Sequence, residues 1–275
     1  MIVITGGAGF VGLNIVKELN NRGVTNTVVV DDMTDGSKFR NLVNCKVADF
    51  IDATTFRESI RTKKFHHRPR VIFHYGAISN SETNGMKMLD ANFTYSKELF
   101  QWCKNQGVRF IYASSAAVRP RSPSERLWIL KDAVPNTVYQ FYEKRKSFKA
   151  IELFGEYAGV EEGQQKRYIV HVEDVARLNC WFLDHPEISG IYNVGTGVAS
   201  SFHDVSMEVA KNFGSPKGYI KFIPFPPELK GRYQSFTCAD ISKLRRAGFV
   251  LRFRSIKEGI KDYMEWLENN EGLDR

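Results

Sequence analysis

Residues 2–12 read Ile-Val-Ile-Thr-Gly-Gly-Ala-Gly-Phe-Val-Gly, a β-branched run that passes directly into Gly6-x-x-Gly9-x-x-Gly12. Glycines in this pattern let a chain turn sharply out of a strand, bring backbone N–H groups close to phosphates and pack a helix tightly on a sheet. The stretch that follows carries Ile15, Val16 and Leu19 on one helical face. Strand, glycine turn and helix in that order predict a site for the pyrophosphate of a dinucleotide, which a glycine triplet without that context does not.

The second strand, Thr27–Val30, closes on Asp31 and Asp32 about 20 residues after the loop, where a carboxylate meets a ribose in this class of fold. Strand and helix patterns then alternate: strand 71–74, a helix with Leu89, Phe93, Phe100 and Cys103 on one stripe, and strand 110–113. Alternation of this kind predicts an α/β fold with a doubly wound, parallel, Rossmann-type sheet. From Val118 the pattern loosens around Pro120, Pro123 and Pro135; 138–146 reads as helix and 155–165 as loop. Residues 169–175 read as a strand ending in an acidic helix cap, 190–194 as a further strand, and Ser201 with Asp204 as a capping box. A final amphipathic helix carries Ile256, Ile260, Tyr263 and Leu267. The organisation expected is a dinucleotide-binding domain of 1–118 plus about 169–200, and a smaller α/β substrate-binding part of about 119–168 plus 201–275.

Composition narrows the classes further. The 275 residues are 43% hydrophobic and 25% charged, ordinary for a globular chain that buries a full core. No run approaches the ~20 apolar residues of a membrane span. The first strand begins at Ile2, leaving no room for a signal peptide, so a cytoplasmic protein without a membrane partner is expected. The net charge of +8 is spread over separated clusters (Arg61–Lys64, Lys144–Lys146, Arg252–Arg254), which predicts a solvated surface rather than a nucleic-acid face. Cys45, Cys103, Cys180 and Cys238 show no C-x-x-C spacing, and no histidine–carboxylate spacing suggests a metal. His74 and His171 read as structural hydrogen-bond partners.

Thr5–Gly12, Ser114-Ser115 ending a strand, Val172–Ala176 and Asn193–Gly197 resemble the extended short-chain dehydrogenase/reductase family, which modifies nucleotide sugars. More narrowly, Asp35–Phe39, Tyr95–Leu99, Ala113–Ala117 and Lys230–Gln234 resemble its ADP-heptose 6-epimerase branch, of lipopolysaccharide inner-core synthesis. The resemblance implies that Gly6, Gly9, Phe10, Val11 and Gly12 hold the pyrophosphate and that Asp31 and Asp32 meet the ribose. It further implies that Lys38 pairs with a 2′-phosphate, that Gly76, Ala77 and Ser79 line the cofactor and that Asn92 supports it. Phe154, Arg167 and Tyr233 would hold an ADP-sugar substrate, Ser115 would serve catalysis, and the assembly would be a homo-oligomer. A carboxylate favours NAD and a nearby cation favours NADP; Lys38 tips the expectation to NADP, with NAD open.

The chain departs from the family between Ser115 and Tyr168, an interval several tens of residues shorter than the family's. Family members carry there a Tyr-x-x-x-Lys pair whose tyrosine exchanges a proton with the sugar hydroxyl. One such spacing occurs here, Tyr142–Lys146. It is either the catalytic pair or, by its downstream context, part of a substrate-domain helix. Ala53 stands where a cofactor lysine is usual, and Tyr168 where an acid follows Lys-Arg.

Overall fold

The computed structural model describes residues 1–78, 84–115, 127–131, 135–147, 149–214, 219–231 and 233–270; of Ser115, 127–131 and 135–137 the backbone alone is described. In chain order the elements begin β1 (Ile2–Thr5), α1 (Phe10–Asn21), β2 (Thr27–Asp31), α2 (Phe39–Leu42), β3 (Asp49–Asp52) and α3 (Ala53–Arg61). They continue β4 (Val71–His74), α4 (Gly85–Leu89), α5 (Tyr95–Gln106), β5 (Arg109–Ser115), β6 (Leu127–Lys131) and α6 (Pro135–Lys146). The last are β7 (Ile151–Phe154), β8 (Lys166–Tyr168), α7 (Val172–Asp184), β9 (Ile191–Asn193), β10 (Ala199–Ser201), α8 (Phe202–Asn212), β11 (Ile220–Ile223), α9 (Ser242–Arg246) and α10 (Ile256–Asn269). The chain forms two compact units, Met1–Leu130 with Val175–Tyr192, and Lys131–Asp174 with Asn193–Gly272.

In the first unit every residue of β1, β2 and β4 is buried. Strands that are apolar on both faces need helices on both, which is the condition for a parallel sheet. The sheet runs β3-β2-β1-β4-β5-β6-β9, and the first four pairings are parallel. Strand order therefore reverses between β1 and β4, and ligands of such sheets bind outside the carboxyl ends at that point. The expected α/β Rossmann-type sheet is the fold of this unit. One core cluster joins Val3, Val28, Val30 and Ile72 of the sheet to Phe56 and Ile60 of α3 and to Tyr95, Leu99 and Cys103 of α5.

The helix after β4 corrects one expectation. Leu89 and Phe93, placed on its buried stripe, are 50% and 60% exposed, and the inward face is Tyr95, Leu99 and Cys103. The cause lies in Asp90–Thr94, a π-helical turn between α4 and α5. Each π turn adds a residue to the 3.6-residue repeat and so rotates the face that precedes it relative to the face that follows. Strand 169–175 is also corrected: β8 ends at Tyr168, and Glu173 and Asp174 occupy the first turn of α7. Carboxylates favour a helix N-terminus electrostatically, and Asp174 N–H donates to His171 O at 3.0 Å to start the helix.

In the second unit β7 pairs with β11 and β8 with β10. The Ser201–Asp204 capping box starts α8 as expected. Its core joins Val138, Phe141 and Tyr142 of α6 to Ile151, Leu153, Val205, Val209, Ile260, Met264 and Leu267. At its margin the Asp174 carboxylate, 1% exposed, accepts from the Arg254 backbone N–H and from its guanidinium, both at 2.6 Å. The same guanidinium reaches Glu173 and Asp262. Among the described residues no helix is long and apolar enough to cross a membrane.

Removing the Arg254 guanidinium would take the ion-pair partner at 2.6 Å from the buried Asp174 carboxylate, whereas the half-exposed Glu173 and Asp262 contribute little. Arg254→Met is expected to destabilise the second unit by about 3 to 5 kcal/mol, measured as a shift in the denaturant midpoint. A loss below about 1 kcal/mol would class the network with ordinary surface pairs.

Candidate functional site

At the end of β1 the chain turns through Gly6 with φ +69°. A Cβ there would lie 2.6 Å from the backbone nitrogen of Gly76, and one on Gly12 would overlap the Gly6 carbonyl. Glycine at both positions is thus required by backbone-to-backbone approach, of the β1 turn to the β4 loop and of α1 to the turn itself. Gly9 is the N-cap of α1, extended at φ −81° and ψ 170°, with no side-chain cap and no acidic residue in the first turn. A helix of 12 residues whose positive end is left uncapped by side chains is suited to an anion. Phe10, Val11 and Gly12 form that first turn.

Asp31, at the carboxyl end of β2, holds the turn in place. Its Oδ2 accepts the Ala8 N–H at 2.8 Å, and its Oδ1 accepts the Asp32 N–H at 2.8 Å and Lys38 Nζ at 3.1 Å. Lys38 ends a 3-10 turn (Gly36–Lys38) and also donates to Asp32 O at 2.7 Å. Asp32 accepts from the backbone and hydroxyl of Thr34, which hold its carboxyl below the usual range. These groups, with Gly6, Gly76 and Ala77, line a cavity of about 470 Å³ that continues past Ala53, Arg57 and Tyr95. The structure thereby brings Gly6, Asp31, Asp32, Lys38, Gly76 and Ala77 to one place. Asn92 stands in the π turn; its amide accepts the Ile78 N–H and donates to Ile78 O, each at 2.8 Å, fixing the loop after β4. Ser79 lies outside the described residues.

Beneath the cavity His74 links three elements. Ser96 Oγ donates to Asn92 O at 3.0 Å, so its proton is committed and it can only accept from His74 Nε2, at 2.8 Å. His74 Nδ1 then accepts from the Thr5 hydroxyl, and Thr5 Oγ1 accepts the Gly76 N–H at 3.4 Å. This logic assigns the Nε2–H tautomer. Complete burial pushes the imidazole down to about 3, so it is neutral and serves positioning rather than proton transfer.

In the second unit, Phe154 ends β7, Arg167 lies on β8 and Tyr233 follows the 3-10 turn Pro227–Leu229. The three are brought together: the Arg167 guanidinium lies 4.9 Å from the Tyr233 ring centre, and Phe154 packs on Tyr233 at 5.9 Å. Burial raises the Tyr233 hydroxyl, opposed by Arg167. Phe225 and Tyr157, absent from the sequence reading, complete the group. Phe225 lies 5.4 Å from Phe154, and Tyr157 stacks on it at 4.0 Å while its hydroxyl accepts the Gly231 N–H. Their only sequence signal is aromatic character, Tyr157 within a segment read as loop and Phe225 between two prolines. Aromatic faces beside a guanidinium suit a ligand that carries both a planar ring and an anion.

Ser115 is the last residue of β5. Tyr142 is 4% exposed and belongs to the core of the second unit, with Lys146 Nζ 6.0 Å from its ring centre. Among the described residues, no group of three or more His, Cys, Asp or Glu side chains could hold a metal ion.

Residues 2–141 and 129–195 match the family model described as Epimerase: NAD dependent epimerase/dehydratase family. The fold is similar to that of the ADP-L-glycero-D-manno-heptose-6-epimerase of Helicobacter pylori, with a TM-score of 0.80 at 22% identity over 98% of this chain and 96% of that one. It is similar also to the UDP-N-acetylglucosamine 4-epimerase of Methanobrevibacter ruminantium M1, solved with UDP-N-acetylmuramic acid (TM-score 0.79, 18% identity, 98% of each chain). A third likeness is to the UDP-glucose 4-epimerase of Thermus thermophilus in complex with NAD (TM-score 0.73, 21% identity, 96% of this chain and 98% of that one). At these identities the likenesses are of fold.

The neutral, buried His74 predicts a stability signature. Unfolded histidine takes up a proton near pH 6.5 and folded His74 only near 3, so between those values the unfolded state binds more protons and stability falls as the pH is lowered. His171, also depressed by burial, adds to the same trend. His74→Gln keeps a donor and an acceptor but cannot titrate. The stability lost between pH 7.5 and 5 should be smaller in the variant by about 2 kcal/mol, read from urea midpoints. Parallel pH profiles would mean that His74 titrates alike in both states.

Proposed function

The chain belongs to the NAD dependent epimerase/dehydratase family, and from that premise we propose that it epimerises an ADP-linked heptose at C6, with NADP as cofactor. The observation that carries the reading is the cavity at the carboxyl ends of β1, β2 and β4, where Asp31 and Asp32 stand beside Lys38. Its fit to a dinucleotide is supported by the uncapped α1 N-terminus and by glycines at 6 and 12 whose side chains would collide with backbone. Gly6, Gly9, Phe10, Val11 and Gly12 would hold the pyrophosphate, Asp31 and Asp32 the ribose hydroxyls, and Lys38 the 2′-phosphate. Gly76 and Ala77, and Ser79 by sequence, would line the path towards the reacting end, with Asn92 bracing it through Ile78. Phe154, Arg167 and Tyr233 would bind the nucleotide-sugar.

When bound, the nicotinamide would accept a hydride from C6 and return it to the opposite face, so no net redox change results. Ser115 would donate a hydrogen bond to the reacting oxygen as it passes between hydroxyl and ketone. The choice of sugar rests on the sequence motifs Lys230–Gln234 and Asp35–Phe39. Product formation by proton NMR from ADP-heptose tests the reading. Turnover of a UDP- or dTDP-sugar alone would move the substrate assignment within the family.

One observation favours a second reading, a dinucleotide-binding protein without turnover: Tyr142 is packed into an apolar core. Where turnover is found, Tyr142→Phe decides the part this tyrosine plays in it. A true general acid or base lost there costs about 10² to 10⁴ in rate, whereas a core tyrosine leaves turnover within a few-fold. NADP binding with no turnover of any nucleotide sugar would favour the second reading.

The cofactor assignment yields its own expectation. Lys38→Ala should weaken NADP by about 1 to 3 kcal/mol, the value of a charge-assisted hydrogen bond, and leave NAD nearly unchanged. Fluorescence titration with both cofactors measures it. Equal losses would remove the 2′-phosphate role.

A further inference from the structure

The dinucleotide cavity contains a second candidate cation for a phosphate, and it comes from a position that no sequence motif marked. Three cations (Lys38, Arg57, Arg61) and four carboxylates (Asp31, Asp32, Glu58, Asp90) line it. Lys38 is already offset by Asp31 at 3.1 Å. One offset lysine is a thin counter-charge for a dianionic phosphate ester, which ordinarily takes several charge-assisted bonds.

Arg57 lies in α3 one helical turn beyond Ala53, which lines the same cavity with only a methyl group. Residues four apart on a helix share a face. Its guanidinium, 15% exposed, donates from Nη1 and Nη2 to the two Asp90 oxygens at 2.6 and 2.7 Å and from Nε to Glu98 at 2.8 Å, with a longer bond from Nη2 to Glu98 at 3.4 Å. These carboxylates raise the guanidinium pKa, with the Asp90 bonds the largest cause. The two partners differ in kind. Glu98 is 28% exposed and is shared with Arg61 at 2.7 Å, whereas Asp90 is 56% exposed at the cavity wall. The Asp90 pair is bidentate, so only a ligand offering the same two acceptors can replace it, and the exposed Asp90 carboxylate is rehydrated on release. The Nη1/Nη2 edge can therefore change partner while Nε stays on Glu98.

We infer that Arg57 is a specificity-determining residue of the cofactor cavity, exchanging the Asp90 carboxylate for the 2′-phosphate of NADP while its Nε remains anchored on Glu98. Guanidinium geometry matches carboxylate and phosphate equally well through the same two-donor edge. NAD presents no such group and leaves the Arg57–Asp90 pair closed. The inference rests on the dinucleotide reading of the cavity and adds Arg57 to Lys38.

Both Arg57→Leu and Asp90→Asn break the same ion pair, so a merely structural latch would shift them in one direction. Partner exchange shifts them oppositely. Calorimetric titration of the full chain should show NADP binding at least about tenfold weaker in Arg57→Leu and about three- to tenfold tighter in Asp90→Asn. NAD binding should stay within about threefold in both. The gain in Asp90→Asn should vanish in the double variant, which separates release of Arg57 from simple removal of a negative charge. NADP and NAD falling together in both variants, or a gain that survives in the double variant, would overturn the Arg57 assignment while leaving the cavity reading intact. An unmutated chain that bound neither dinucleotide would overturn the cavity reading and this inference with it.

Discussion

The bond from the Ala8 N–H to Asp31 Oδ2 is the constraint on which the first unit's site depends. It joins the glycine turn after β1 to the end of β2, and so sets the uncapped start of α1 against the carboxylates that follow β2. The other Asp31 oxygen receives Lys38 and the next backbone N–H. A carboxylate so engaged is fixed in position and ionised surroundings are arranged about it before any ligand arrives. That is preorganisation: the ordering of the turn is completed on folding rather than on binding. The same closeness explains the glycines, since the turn approaches the β4 loop within a distance that excludes a Cβ.

The β4 loop is held from the other side. Thr5, His74, Ser96 and Asn92 form one chain of hydrogen bonds that ends on the backbone of Gly76 and Ile78. Two of its members belong to the helix after β4, and the π turn at 90–94 sets their register. A regular α-helix there would rotate Asn92 relative to Ser96 by the offset of one residue. The turn therefore has a local role at the cavity beyond its effect on which apolar residues face inward. It also carries Asp90, so the loop clamp and the ionic pair with α3 share one irregular segment.

Much of this was legible in the sequence because the signals are local. The glycine spacing, the β-branched strands and the carboxylates after β2 each follow from residues within one βαβ unit, and the Ser201–Asp204 cap from four consecutive positions. What escaped depends on non-local geometry. Leu89 and Phe93 fit an α-helical stripe, and nothing in their spacing reveals a π turn. Residues 169–171 have strand composition, but β10 offers partners only as far as Tyr168. Arg57 carries no motif, and its place is set only when folding brings it against Asp90 and Glu98. Tyr142 and Lys146 show the converse. Their spacing matches a catalytic pair, and α6 directs the tyrosine into the same core as Val138 and Ile151, a packing that spacing alone does not reveal.

The charge of the chain divides into two scales that act separately. A net +8 gives a long-range attraction for anions that screening reduces within about 10 Å at moderate ionic strength. Inside the cavity that excess is absent, since carboxylates there outnumber cations. The long-range attraction of the surface for anions therefore does not extend to a surplus of cations within the cavity. In the proposed reading, a ligand is retained when it satisfies the two-donor edge of Arg57, the lysine already shared with Asp31, and the backbone amides at the start of α1. On that proposal, selection is a matter of exchanging partners within paired charges rather than of neutralising a surplus.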